Sequence, residues 1–326
     1  MRGQPRLRWA RGQSNARCLE PARFSRTARL FRSDGYLVNP LTSGFRVLVN
    51  AMRHPLGRRR PLRTLWRIGR WQIVSLRGGP HDVAWIGDAR LLVERGMTGA
   101  TGNVYFGLHE VPDMAFMVNL LQPGELLLDI GANIGSYTVL AATAAQARVI
   151  AFEPHPRTAA ALERNVAHNR LGGRVDVRRV ALSDADGEGA LTDGLDAMNY
   201  LVVGDAASGD TCKVPLRTLD NEVGDDTPTM LKIDVEGHEE KVLAGAAKVL
   251  AQPGLEAIEI ETVTAAIEAR ILAAGFSEAF YEPFTRALAD RPFAEKASNR
   301  LFVRDPARVR ERLRTAPRFR AGGVWL

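Results

Sequence analysis

Cysteine is scarce, with only Cys18 and Cys212 in 326 residues. Two thiols so far apart form neither a disulfide framework nor a zinc-ligand spacing, so a reducing, cytoplasmic setting is expected. No apolar run reaches the length of a membrane helix. The nearest candidate, residues 126–147, is interrupted by Asp129 and Asn133, so no membrane span is expected. No apolar core of a secretory leader follows the first arginines. A chain disordered throughout is excluded by the 45% hydrophobic content. No repeat period appears. The signatures G-x-S-x-G, the P-loop, H-E-x-x-H and C-x-x-C are also missing, which removes the commonest hydrolase, phosphate-transfer, zinc-protease and redox readings.

Acids are missing in one place. Residues 1–70 hold 17 Arg, no Lys and only Glu20 and Asp34, for a net charge of +15, whereas residues 71–326 carry −8. The basic character of the chain therefore belongs to its start, and the body is acidic. A basic arm can touch nucleic acid, an anionic membrane or an acidic polymer. The patternless first fifty residues are expected instead to be a disordered tail or an over-early start, with Met52 as the alternative initiator. Four segments are expected: this tail (1–50), an extension of short strands and a helix (51–122), a cofactor-binding domain (123–305) and a basic C-terminal tail or helix (306–326).

Short strands are predicted between Leu65 and Gly107, at residues 72–76, 82–86 and 91–93. Pro112 and Asp113 open a helix that Pro123-Gly124 close. From Glu125 onward strands and helices alternate. Strands are predicted at 126–130, 148–153, 175–182, 230–235 and 257–260, with helices at 136–147, 156–169, 239–250 and 264–274. Residues 185–212 read as a hairpin or insertion, and 277–281 and 300–304 as late strands. This is the pattern of an α/β fold, a doubly wound and mostly parallel sheet with an antiparallel finish.

The most informative stretch is Asp129-Ile130-Gly131-Ala132-Asn133-Ile134-Gly135, between an apolar strand and a helix. Ligands of open parallel sheets bind beyond the strand carboxyl ends at the switch point. A dinucleotide loop reads G-x-G-x-x-G, whereas here Asn133 replaces the middle glycine and would crowd a diphosphate. Asp129 at the strand end suits an ammonium or amino-acid group. Glu153 ends the second strand, 18 residues beyond Gly135, where a carboxylate can accept both hydrogen bonds of a ribose diol. Together they imply an adenosine-bearing ligand with an unphosphorylated ribose.

With Phe152-Glu153-Pro154, Ala181-Leu182-Ser183-Asp184, Leu216-Arg217-Thr218-Leu219-Asp220 and Lys232-Ile233-Asp234-Val235-Glu236-Gly237-His238-Glu239, the chain resembles the FkbM-type S-adenosylmethionine-dependent methyltransferases over about residues 105–304. The resemblance implies a Rossmann-like sheet of seven strands, the last antiparallel, and S-adenosylmethionine as cofactor. It places Asp129, Gly131, Asn133 and Gly135 at the methionine end, Glu153 on the ribose, and Ala181, Leu182 and Ser183 beside the adenine. It favours O-methylation of a hydroxyl on a sugar, glycan or secondary metabolite.

The stretch from Lys232 to Glu239 is the candidate acceptor side, because the fourth strand adjoins the first. Alternation puts Lys232, Asp234 and Glu236 on one face of an extended segment. Asp234 is the first candidate to position the acceptor or take its proton and His238 the second. Glu236 and Lys232 are expected to orient the acceptor or to pair with each other. Asp234, Glu236, His238 and Glu239 lack a familiar metal spacing, so no metal is expected. Glu259 and Glu261 read as solvated acids or acceptor contacts, Glu110 as a capping or lid residue, and Trp66, Trp71 and Trp85 as packing. An RNA methyltransferase docking through the basic start is disfavoured by the acidic body, which carries no basic, aromatic-interleaved patch. An NAD-dependent oxidoreductase is disfavoured by Asn133. A silent adenosine-binding module and the oligomeric state stay open.

Overall fold

The computed structural model describes residues 49, 51–192, 201–202, 211–295 and 297–326. The chain divides into units 1–38 and 39–326, and every described residue lies in the second. The expected tail at 1–50 falls almost wholly outside the described residues.

The strands, in chain order, are β1 (His81–Ala84), β2 (Arg90–Val93), β3 (Leu126–Ile130), β4 (Arg148–Phe152), β5 (Val175–Arg178), β6 (Ala181–Leu182), β7 (Gly187–Thr192), β8 (Leu201–Val202), β9 (Thr211–Arg217), β10 (Met230–Ile233), β11 (Ala257–Ile260), β12 (Ser277–Glu282), β13 (Ala287–Ala289), β14 (Arg300–Val303), β15 (Arg320–Ala321) and β16 (Val324–Trp325). Eight of them form the main sheet in the order β13-β12-β14-β11-β10-β3-β4-β5. Strands β11, β10, β3, β4 and β5 run parallel, and β14 runs antiparallel to both β11 and β12. The seven-stranded sheet with one antiparallel strand is thus present, and the short β13 adds an eighth at the edge. All five residues of β3 are buried, as expected of a strand covered on both faces.

One face packs Leu127, Val149 and Met230 under the helices Val111–Leu120, Ser136–Ala144 and Pro306–Thr315. The other packs Leu128, Leu231 and Ile258 under Glu239–Ala244, Ala247–Ala251 and Ala265–Ala273. The helix predicted over 239–250 is broken at Gly245, where a Cβ would lie 2.1 Å from the Ser183 carbonyl oxygen. The strand predicted over 175–182 is also divided. Its end, β6, leaves the main sheet and joins β9, β7 and β8 in a four-stranded sheet that realises the expected insertion.

The expectation of short strands from Leu65 to Gly107 holds only for β1 and β2. Residues 72–76 instead end the helix Pro61–Val74 and form the turn Ser75–Arg77, and Thr98–Phe106 is helical as well. Burial of Thr64 and Trp71, seven residues apart on one helix face, overrides the weak alternation that suggested a strand. Among the described residues no helix is long and apolar enough to cross a membrane.

Candidate active site

Order reverses between β3 and β10, so the switch point lies beyond Ile130 and Ile233. A cleft of about 260 Å³ opens there, lined by residues 129–134 of the turn, by Glu153 and by Lys232, Asp234, His238 and Glu261, whereas Gly135 does not line it and packs toward Leu162.

The turn is rigid for internal reasons. Gly131 (φ +80°), Asn133 (φ +51°) and Gly135 (φ +92°) all have left-handed backbones. Asn133 therefore fills the middle-glycine position in the conformation that asparagine tolerates best among residues with a side chain. The backbone N–H groups of Gly131 and Ala132 both donate to the Phe152 carbonyl at 3.0 Å, and that of Gly135 to Ala132 at 2.8 Å. The Asn133 N–H donates to Glu153 Oε2 at 2.8 Å. Amides engaged in this way do not cradle a diphosphate. Gly131 is also required by the neighbouring strand, since a Cβ there would meet the Asp234 carbonyl oxygen at 1.8 Å.

Glu153 is buried and accepts three hydrogen bonds, from Asn133 N, from His155 N at 3.0 Å and from Thr158 Oγ1 at 2.6 Å. Burial pushes its carboxyl up, against the pull of these donors. A carboxylate has about four acceptor positions, so one remains on Oε2 toward the cleft. Asp129 is held by Thr138 Oγ1 at 2.5 Å, and its carboxyl is also pushed up by burial. Ala181, Leu182 and Ser183 form a buried edge of the same cleft. His238 lies on that edge, its Nε2 3.1 Å from Ser183 Oγ, and burial lowers its basicity. His238 thus lines the same cleft as Lys232 and Asp234, with its imidazole engaged by Ser183.

Lys232 is buried, with Nζ 2.5 Å from Asp234 Oδ2 and 4.9 Å from the centre of the Tyr137 ring. Burial disfavours its charge, but Asp234, Glu110 and Asp129 outweigh it and hold the ammonium firmly protonated. The partner of Lys232 is Asp234, not Glu236. The strand ends at Ile233, and Glu236 and Gly237 turn into positive φ, so the expected alternation does not reach Glu236. The turn nevertheless brings carboxylate oxygens of Asp234, Glu236 and Glu261 within 4.8 Å of one another. This is not the set named for a metal, since His238 points to Ser183 and Glu239 accepts from the Gly237 N–H.

Carboxylate oxygens of Asp234 and Glu261 lie close enough for each to bias the other's ionisation. Burial opposes ionisation of Asp234, but Lys232 and a hydrogen bond from Glu261 hold it below the usual carboxylate range. The same hydrogen bond, then burial and the charges of Asp234 and Glu236, push Glu261 up to about 8. A carboxyl whose folded value is raised stabilises the fold below the ordinary carboxylate range, and this contribution is lost as pH rises toward about 8. Urea denaturation at pH 5 and pH 9 is expected to show a loss of stability that Glu261→Gln reduces. An unchanged difference in that variant would remove Glu261 from the pair.

Sequence reasoning did not single out Tyr137, Thr138 or Thr158, because hydroxyls on helices carry no signature. Tyr137 donates to Glu110 Oε2 at 2.8 Å. Glu259, expected to be a solvated acid or an acceptor contact, is buried in register with Lys232. It lines a second cavity of about 280 Å³ with Asp113, Asn299, Phe116 and Tyr281. Glu259 Oε2 and Asn299 Nδ2 are buried there with no hydrogen-bond partner. Asp113, which accepts from the N–H groups of Ser298 and Asn299, is pushed up to about 6 by burial and by Glu110.

The sequence profile of the methyltransferase FkbM domain matches residues 129–278. The hexuronic acid methyltransferase AglP of Haloferax volcanii is 32% identical over 147 residues, covering 42% of this chain and 56% of that protein. The 31-O-demethyl-FK506 methyltransferase FkbM of Streptomyces tacrolimicus is 31% identical over 176 residues, covering 52% of this chain and 66% of that protein. The chain thus spans between half and two thirds of these curated relatives. A crystal structure of methyltransferase FkbM from Methylobacillus flagellatus aligns with 73% of this chain and 58% of that one, at 15% identity and a TM-score of 0.38. Residues 129–278, somewhat less than half of the chain, thus match the methyltransferase FkbM domain.

Proposed function

We propose that this chain transfers the methyl group of S-adenosylmethionine to a hydroxyl oxygen of a sugar-like or secondary-metabolite acceptor, in the cytoplasm. The observation that carries the reading is the Lys232–Asp234–Glu261 group, a carboxylate at the cleft mouth kept ionised by a buried ammonium, with a second carboxyl beside it. Bound S-adenosylmethionine supplies an electrophilic methyl on a sulfonium. The residues must hold the acceptor hydroxyl and take its proton as the new bond forms. Asp234 accepts the hydroxyl hydrogen bond and then the proton, and Lys232 fixes its orientation. Asp129, Gly131, Asn133 and Gly135 shape the methionine end. The remaining acceptor position of Glu153 takes a ribose hydroxyl, and Ala181, Leu182 and Ser183 border the base. His238 positions Ser183 on that edge, and Glu236 stands at the acceptor entrance. The names of the two curated relatives, a hexuronic acid and a 31-O-demethyl methyltransferase, support an oxygen acceptor.

The second cavity supports a seat for the acceptor's body. Glu110 and Lys232 line the cleft, while Asp113, one helical turn along, and Glu259, the register partner of Lys232, line the cavity. Adjacent strands are only about 4.8 Å apart. Glu278 and Glu295 are paired with Arg300 and Arg58, and burial pushes the Glu259 carboxyl well up, so the cavity offers no unpaired cation among its lining residues to a carboxylated ring. The net charge of −8 over residues 71–326 weighs against a nucleic-acid acceptor.

Incubation with methyl-labelled S-adenosylmethionine and a panel of neutral, amino and carboxylated glycosides tests the reading. Label is expected on oxygen of a neutral or amino glycoside. Label transferred to RNA instead, or to nitrogen or carbon, would overturn it. Glu153→Ala is expected to weaken S-adenosylmethionine binding by about 1.5–3 kcal/mol, the scale of a charge-assisted hydrogen bond. Calorimetry showing wild-type affinity would remove Glu153 from the ribose.

A further inference from the structure

The helix Pro61–Val74 carries apolar residues on two opposite faces. Thr64 and Trp71 pack inward and are buried. At about 100° per residue, Leu62, Leu65, Trp66 and Ile73 fall together on the other side. All four are exposed, Leu62 at 81%, Trp66 at 63% and Ile73 at 68%. Leu76, in the turn that follows, continues the stripe at 70% exposure. Five of the eight large hydrophobic side chains that stand exposed among the described residues lie on this one segment. Such a contiguous patch marks an interaction surface, whereas scattered single residues do not.

The charge around the stripe selects the partner. No Asp or Glu occurs between Asp34 and Asp82. Arg63, Arg67 and Arg70 flank the stripe on one side of the helix. Together with Trp66 and Arg320 they line a cavity of about 390 Å³, in which the only carboxylate is Asp82. Asp82 is engaged by Arg90 at 2.7 Å and by His168 at 3.0 Å. Arg63 and Arg70 form no ion pair among the described residues. Arg67 donates to the Asn103 carbonyl at 3.3 Å, and burial, with repulsion from Arg63 and Arg70, pulls it down to about 10. An apolar stripe with an amphipathic tryptophan beside an arginine-lined hollow matches a lipid interface, where side chains enter the acyl boundary and arginines meet phosphates. The segment 1–48, with ten Arg against Glu20 and Asp34, carries a net charge of the same sign as this surface.

We infer that the helix Pro61–Val74 and the turn Ser75–Arg77 dock this chain onto an anionic bilayer, with Leu62, Trp66, Ile73 and Leu76 in the interface and a lipid phosphate in the hollow between Arg63, Arg67, Arg70 and Arg320. This places the chain on the membrane surface without spanning it, and it does not depend on the methyl acceptor.

Flotation of the full-length protein with vesicles of phosphatidylcholine alone, and with 30% phosphatidylglycerol added, tests the inference. Binding is expected to the anionic vesicles, to be at least tenfold weaker on the neutral ones, and to fall at least tenfold in both W66S/I73S and R63A/R70A. Melting temperature and S-adenosylmethionine affinity serve as fold controls, because all four side chains are exposed. Wild-type flotation of W66S/I73S would overturn the inference, since residues 1–48 would then carry the binding. Equal binding to both vesicle types would overturn it too, as would a shift of W66S/I73S from dimer to monomer without lipid, which would assign the stripe to a second copy of the chain.

Discussion

Gly131→Val is expected to give a protein that neither folds stably nor binds S-adenosylmethionine. Two costs combine. The backbone at φ +80° is one that a β-branched residue avoids. The new Cβ would also lie 1.8 Å from the Asp234 carbonyl oxygen, which is main chain and cannot swing aside. Relief requires the ends of β3 and β10 to part, breaking the 3.0 Å bond from the Asp234 N–H to the Ile130 carbonyl. It also draws Asp234 away from Lys232. The combined cost is upwards of about 3 kcal/mol. Gly124→Ala is the control. Gly124 has φ +84° but nothing within 4 Å of a Cβ, so only the conformational cost of about 1–2 kcal/mol is expected. Urea denaturation and calorimetry check both. A wild-type midpoint for Gly131→Val would show that the two strand ends are not in the contact described.

The contrast between these glycines shows where sequence reasoning reaches and where it stops. The run 126–135 announces a buried strand, a tight turn and a helix, because apolar content and glycine spacing are local properties. Whether the glycine is needed for a ligand or for a neighbouring strand depends on residue 234, about a hundred positions away, and no local pattern carries that. Glu261 was visible as a strand-end acid, but its closeness to Asp234 arises only from the parallel pairing of β10 with β11. Alternation failed at Glu236 because Gly237 and a left-handed residue end the strand early. His238 was grouped with its sequence neighbours, whereas the turn swings it onto Ser183, from another sheet. The helix Pro61–Val74 was misread because its two opposed apolar faces blur the helical period in a five-residue window. Trp66 was assigned to packing for the same reason, since burial belongs to the face and not to the residue type.

Asp234→Asn is expected to lower kcat by about 10²–10⁴-fold, the range for loss of a positioned general base, while S-adenosylmethionine affinity changes far less. The amide keeps the shape and loses the charge. Lys232 then lacks its nearest counter-ion, and Glu261 loses the hydrogen bond that contributes most to its raised value. Glu261→Gln separates the two carboxyls. It removes one carboxyl but leaves Asp234 ionised beside Lys232 at 2.5 Å, so a smaller loss of kcat is expected from it than from Asp234→Asn. If Glu261→Gln is instead the more damaging, the base is Glu261 and Asp234 is its anchor to Lys232. If neither alters the rate of labelled methyl transfer, proton removal belongs to neither, and His238, the other candidate in the cleft, is the next to be replaced.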